Sequence, residues 1–222
     1  MQNTVRALDT RLLIVADADD PEVGKYLHLP ETGAAKRFGF DIDRLLIRVL
    51  TGNDTGDMTT AMNTAAKAFY DRPHAIIGMV NDDHRFLTPG WDLRVEDALR
   101  EPGIAYGDDL FQGERLVAGG VFMNAVIPRA LGWYCLPSCR HLFVDNVWTE
   151  LGKHLGILRY LPDVVIEHLH PFAGKGTWDE GYERANNQAA IDADRVAYEE
   201  WRDRGGLVTD AARVREALRM AA

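Results

Sequence analysis

The chain has 222 residues, 46% hydrophobic and 27% charged, a usage that excludes disordered and collagen-like classes and fits one domain with a sizeable core and a small C-terminal appendage. Its 25 basic and 34 acidic residues give a formal charge of −9, which argues against an extended nucleic-acid surface but leaves room for a local basic patch, because nonspecific affinity needs many Lys and Arg contacts to phosphate. No apolar run approaches the ~20 residues that span a bilayer, and the polar start Met1-Gln2-Asn3-Thr4 is no signal peptide, so a cytoplasmic location without a transmembrane segment is expected.

Val5 and Leu8 stand at helical spacing, so Met1 to Thr10 reads as the end of a helix. Arg11-Leu12-Leu13-Ile14-Val15-Ala16 is a strand that runs into Asp17-Ala18-Asp19-Asp20-Pro21. Those carboxylates are either ordinary turn residues or ligand groups beyond a strand end. Leu45 to Leu50 is a further apolar run, and Thr51 to Asp57 is loop chemistry. Met58, Ala61, Met62, Ala65, Ala66, Phe69 and Tyr70 then recur three and four apart, which predicts an amphipathic helix against the sheet.

Ala75 to Val80 is apolar without polar alternation, the pattern of a strand buried on both faces in a parallel sheet, and it stops at Asn81-Asp82-Asp83-His84. Ligands of open α/β sheets bind beyond the carboxyl ends of strands. Asp and His are costly in a core and are typical ligands of divalent metals, so a metal and phosphate site is expected here. Thr88-Pro89-Gly90 punctuates the chain before a helix from Trp91 to about Leu99, and Gly103 to Gly107 is a short strand ending in Asp108 and Asp109. The pair Gly119-Gly120 inside Leu116 to Met123 marks a bulge, a ligand approaching the backbone, or a plain turn.

Ile127 to Leu131 starts a short helix. Cys135 and Cys139, near His141, lack the second cysteine pair of a zinc site and read as reduced thiols in a turn. Val144-Asp145-Asn146 opens a helix that Gly156 ends, with Asp145 a candidate N-cap. A strand from Asp163 delivers His168 and His170, which alternate with Leu169 and point to one side, for structure or for metal and phosphate contact. Gly174-Lys175-Gly176 is flexible, and charged helices continue to Met220, broken at Gly205-Gly206. Residues 1–173 therefore form the principal domain and 174–222 a helical C-terminal extension.

The order of these elements resembles the GT-A fold nucleotide-sugar glycosyltransferases, especially the large inverting family and its shorter phage-type members, over about Arg11 to Pro171. The strand ending Ala16-Asp17-Ala18-Asp19-Asp20 looks like that family's second strand, whose acidic end contacts the nucleoside. Asp82-Asp83-His84 looks like the Asp-x-Asp motif in its Asp-x-His form, with Pro89-Gly90-Trp91 at the usual distance. Gly119-Gly120 resembles the glycine loop on the acceptor side, and Phe143-Val144-Asp145 sits where the general-base motif falls. Gly156, Pro162 and the strand before His168 come after it at matching spacing.

The resemblance implies a GT-A-like α/β protein with a mixed, mostly parallel sheet flanked by helices and a helical tail. It implies an enzyme that moves a sugar from a nucleotide-sugar donor to an acceptor hydroxyl, with inversion and with Mn²⁺ or Mg²⁺. Asp17, Asp19, Asn81, Asp82, Gly119 and Gly120 would line the donor site. Asp82 and His84, with Asp83 in the alternative register, would meet the metal, His168 would be the late ligand and His170 its second choice. Asp145 would be the base. The acceptor is a protein, a glycan, a lipid or a modified nucleobase.

Three departures stand out. Val144 replaces the acidic residue that normally precedes the base, the motif also reads as Asn81-Asp82-Asp83, and the family's first strand, which should precede Met1 to Thr10, is missing. The true start then lies upstream, or the chain is a fragment or a degenerate member with a weakened donor site. A catalytically weakened binding or assembly module and a nucleotidyltransferase are the alternatives.

Overall fold

In the computed structural model, residues 5–7, 9–29, 45–51, 57–72, 75–178 and 180–221 are described. Met1 to Thr4 and Leu8 of the expected N-terminal helix, and most of the loop after Thr51, lie outside them. Residues Val5 to Ala7 are not helical. Their backbone is claimed by Asp92, whose carboxylate accepts the N–H groups of Arg6 (2.9 Å) and Ala7 (2.7 Å) and the Thr10 hydroxyl (3.1 Å).

Two sheets carry the architecture. β1 (Leu12–Asp17) pairs in parallel with β2 (Leu45–Leu50), with α1 (Val23–Leu27) between them in sequence. After α2 (Met58–Lys67) come β3 (Ile76–Met79), β4 (His84–Phe86), α3 (Trp91–Ala98), β5 (Ile104–Asp108), β6 (Gly119–Asn124), α4 (Val126–Leu131), α5 (Val144–Leu155) and β7 (Leu158–His168). These strands form a five-stranded sheet in the order β3-β6-β5-β7-β4. The chain is thus an α/β protein with a mixed sheet and a smaller parallel one, flanked by helices.

The mixed sheet is not mostly parallel as the sequence suggested. β5 and β7 run parallel, but β3–β6, β5–β6 and β4–β7 are antiparallel. β3 is an edge strand rather than a central one. It is not buried on both faces as the sequence suggested, for Gly78 is exposed and the rest is half-buried, but both faces meet apolar groups: Ile77 and Met79 pack on one hydrophobic cluster, Ile76 and the adjoining Val80 on the other. A strand sandwiched in this way reads the same whichever direction its neighbour runs.

The first cluster holds Ile104, Tyr106, Met123, Ile127, Trp148 and Leu151, and the second holds Val5, Trp91, Val95, Ala105, Phe122 and Ile166. Alternate residues of β5 and β6 therefore feed opposite cores, as the period of two requires. The segment beyond residue 173 contains α6 (Glu180–Ala185), α7 (Gln188–Asp203) and α8 (Gly206–Ala221). It contributes Tyr198, Ala211 and Val214 to the first cluster.

One irregularity shapes the end of the sheet. Gly107 pairs with Leu161, but Asp108 pairs with Val165, so β7 carries three extra residues, Pro162, Asp163 and Val164, at that step. Such bulges bend a strand and re-aim the residues beyond them, here Asp108, Asp109 and His168.

Candidate metal centre

The antiparallel β4–β7 ladder places His84 directly opposite His168, so the two side chains share one face of the sheet. Their rings stack with centroids 4.3 Å apart. Asp83 precedes β4, and its carbonyl accepts the Leu169 N–H at 2.9 Å, which locks the turn onto the end of β7. Asp83 Oδ2 lies 3.0 Å from His168 Nε2 and also accepts the Tyr182 hydroxyl proton. Asp83 Oδ1 lies 3.2 Å from His84 Nδ1, yet it is buried and makes no hydrogen bond.

The tautomer of His84 explains that orphaned oxygen. Its Nδ1 accepts the Asn81 N–H at 3.2 Å, and its Nε2 faces the Ala118 carbonyl at 3.0 Å. In the neutral ring the proton therefore sits on Nε2, and His84 Nδ1, its lone pair engaged by the Asn81 N–H, offers Asp83 Oδ1 no hydrogen, so two electron-rich atoms face each other. A proton or a cation between them relieves the repulsion. Burial opposes ionisation of Asp83, but the hydrogen bonds it receives from His168 and Tyr182 outweigh burial and hold its carboxyl far below the usual range. One ligand atom from each of Asp83, His84 and His168 lies within 4.8 Å of the others, a carboxylate and imidazole set suited to a divalent metal.

No protein-family model, no curated protein and no solved structure matches this chain. Its chemistry therefore rests on its own residues.

The other residues singled out in the sequence divide into those beside the cluster and those away from it. Asp82 is exposed in the turn and stands outside the three-residue cluster. Tyr26 on α1 is raised by burial and then by the charges of Asp20 and Asp82, so the acidic turns after β1 and before β4 face a common tyrosine. Asp17 ends β1 and Asp19 is exposed in the turn after it. His170 lies against His168 edge to face, centroids 4.9 Å apart, with its Nδ1 accepting the Phe172 N–H at 3.1 Å.

Gly119 begins β6 directly after the carbonyl that meets His84. Gly120 has φ +75° and would place a Cβ 3.0 Å from Val80, so its want of a side chain serves the packing of β3 against β6.

Asp145 lies in the first turn of α5, whose N-cap position is Phe143, so it is not the cap the sequence suggested. Its Oδ1 accepts the Asn146 N–H at 3.0 Å. Burial pushes its carboxyl upward, and the Asp109 charge adds to this while the backbone N–H groups and His168 oppose it. Phe143 has φ +65°, a conformation that costs a non-glycine residue about 1 kcal/mol or more and clusters at functional sites.

The surroundings hold that conformation in place. Asp194 of α7 accepts the N–H groups of Arg140 (2.8 Å), His141 (2.9 Å) and Leu142 (2.7 Å), and Phe143 stacks on Tyr198. Thr149 donates to the Asp145 carbonyl at 2.6 Å and accepts the Val117 N–H at 3.1 Å, next to the carbonyl that meets His84.

Two residues enter the site that the sequence did not single out. Asp109 is fully buried, and its Oδ1 accepts three N–H groups, from Phe111, Gln112 and Gly113, while Oδ2 has no hydrogen-bond partner. Its carbonyl accepts the His168 N–H at 3.1 Å. The acidic pair at the end of β5 was its one signal. Tyr182 had none, standing in a short charged helix. Cys135 and Cys139 are buried free thiols, and neither belongs to the metal cluster found among the described residues.

Proposed function

We propose that the chain is a divalent-metal-dependent glycosyltransferase that moves a sugar from a nucleotide-sugar donor to an acceptor hydroxyl, with inversion. The observation that carries this reading is the convergence of Asp83, His84 and His168 around a buried carboxylate oxygen that lacks a hydrogen bond. It gains support from the resemblance of the chain's landmarks to the GT-A glycosyltransferases and from the position of Asp145, which His168 reaches electrostatically.

Asp83, His84 and His168 would hold Mn²⁺ or Mg²⁺, with His170 next to them. The ion, when bound, neutralises the charge that builds on the leaving nucleoside diphosphate. Asp145 takes the proton of the acceptor hydroxyl as the oxygen attacks the anomeric carbon. Its upward shift by burial brings the carboxylate nearer to the basicity a general base needs. The acidic turns at Asp17, Asp19 and Asp82 lie toward the donor's nucleoside in this reading.

Product analysis with Mn²⁺ and a panel of nucleotide sugars tests it. Release of nucleoside diphosphate supports sugar transfer, and release of pyrophosphate from nucleoside triphosphates would instead identify a nucleotidyltransferase. Asp145→Asn is expected to lower transfer by about 10²-fold or more and to leave Mn²⁺–nucleotide binding unchanged. The acid limb of wild-type activity should lie above the ordinary Asp value near 3.9, because burial raises Asp145. Unchanged turnover in Asp145→Asn removes it as the base, and Mn²⁺–nucleotide binding without any turnover identifies a binding module.

A further inference from the structure

Beside the metal cluster the chain builds a surface that the donor does not need. His170, Phe172, Trp178 and Tyr182 form a closed cycle of ring contacts. His170 stacks on Phe172 (5.2 Å), Phe172 meets Trp178 edge to face (5.1 Å), Trp178 stacks on Tyr182 (5.9 Å) and Tyr182 meets His170 edge to face (5.4 Å). Phe111 stacks on the outside of His170 at 6.3 Å.

These rings are packed on one another yet left open to water: Phe172 is 69% exposed and Trp178 43%. Exposed aromatic groups of this size, gathered in one place, mark binding surfaces. The surface is fixed to the reacting centre at one edge by the Tyr182 hydroxyl on Asp83 and at another by the His168–His170 contact. The turn that returns Trp178 to Phe172 depends on Gly176, where any Cβ would collide with the Leu169 carbonyl.

We infer that Phe172, Trp178 and Tyr182 are a stacking platform for a neutral sugar ring of the acceptor, placed next to the metal cluster. This deepens the transferase reading by naming its acceptor class, a glycan. A sugar ring has an apolar face of C–H groups and a rim of hydroxyls, and the platform offers aromatic faces bordered by hydrogen-bonding groups. Lys175 lies between Phe172 and Trp178 in the chain and pairs with Glu167 at 3.0 Å, and it also reaches the Leu110 carbonyl at 3.4 Å. A nucleotide would call for cations directed at phosphate, whereas Lys175 and Arg85 both face the Glu167 carboxylate.

Isothermal titration of the full chain with maltotriose, cellotriose and chitotriose, and separately with Mn²⁺ plus nucleoside diphosphates, decides the matter. At least one trisaccharide should bind wild type, about tenfold or more weaker to Trp178→Ala and to Phe172→Ala, since each change removes a large aromatic contact surface. Trp178→Tyr should restore most of the affinity. Trp91, Trp133 and Trp148 are buried, Trp201 is half-buried with its indole N–H on Asp210, and Trp178 is exposed, so a blue shift of tryptophan emission on binding that disappears in Trp178→Tyr locates the sugar at Trp178. If no trisaccharide binds wild type, or if both alanine variants bind as wild type does, the platform is overturned even when nucleoside diphosphate binds. If trisaccharide binding depends on Trp178 and no nucleoside diphosphate binds, the platform stands and the transferase reading fails.

Discussion

Replacing Asp83 by asparagine separates the stability of the site from its capacity for metal. The carboxylate accepts from His168 and Tyr182 through Oδ2, while Oδ1 faces the lone pair of His84 Nδ1. An amide keeps an oxygen for the two donors and turns an N–H toward Nδ1. Hydrogen bonds to a charged acceptor are worth about 1.5–3 kcal/mol and neutral ones about 0.5–1.5 kcal/mol, so the two retained bonds weaken by about 1 kcal/mol each. The end of the repulsion between Oδ1 and Nδ1 returns about 1 kcal/mol, since the Nδ1 lone pair is already engaged by the Asn81 N–H. The metal-free variant should therefore melt within about 2–4 °C of wild type, since ~1 kcal/mol moves a chain of this length by that much.

Metal tells the two apart. Wild type at a Mn²⁺ concentration of about 100 Kd gains about 2.7 kcal/mol, roughly 5–10 °C, and Asp83→Asn should gain almost nothing. Asp83→Ala removes the carboxylate that accepts from His168 and Tyr182 and should lose about 2–4 kcal/mol without metal. The pH profile carries the same sign: a carboxylate held low by its partners stabilises the fold above pH ~4, and that contribution fades as pH falls through the folded value. Acid therefore weakens metal-free wild type more steeply than Asp83→Asn. Thermal melts with Mn²⁺ and with chelator measure all of this. A full Mn²⁺ shift in Asp83→Asn, or its metal-free collapse by more than about 8 °C, would refute the arrangement of lone pairs.

Two further outcomes are expected. Asp194→Ala removes the buried carboxylate that accepts three N–H groups and frees the loop that holds Phe143 and Asp145, so urea denaturation should show a loss of about 3 kcal/mol, with Asp194→Asn losing less. Burial pushes the Cys139 thiol up to about 12 and raises Cys135 as well, so iodoacetamide at pH 8 should label the folded chain about a thousandfold more slowly than the unfolded one.

Much of the fold was legible where local signals and tertiary packing agree. α5 ends at Gly156 as its composition suggests, and α3 starts at Trp91 after Thr88-Pro89-Gly90. The failures share a cause. Nothing in Ala75 to Val80 records whether its neighbour runs parallel, because both faces pack on apolar groups either way. β4 has only three residues and begins at a histidine, so no period can show in it. The apolar spacing of Val5 and Leu8 suggested a helix, but Asp92, more than eighty residues away, takes the backbone N–H groups a helix would use.

The site was legible to the extent that a strand end displays its ligands. Asp83, His84 and His168 lie at such ends and do converge, but the choice between Asp82 and Asp83 is decided by the β4–β7 register, which the sequence does not contain. Tyr182 is the harder case. It reaches Asp83 across 99 positions from a six-residue helix, and a tyrosine among charged neighbours carries no sign of what it will meet. That contact changes how the C-terminal segment is understood. Residues 174–222 supply a donor to the carboxylate of the metal cluster, the Asp194 carboxylate that holds the loop before Asp145, and Tyr198, Ala211 and Val214 of the main core. Removing them would disturb the cluster, the candidate base and the core together, so the tail belongs to the site as much as the strands do.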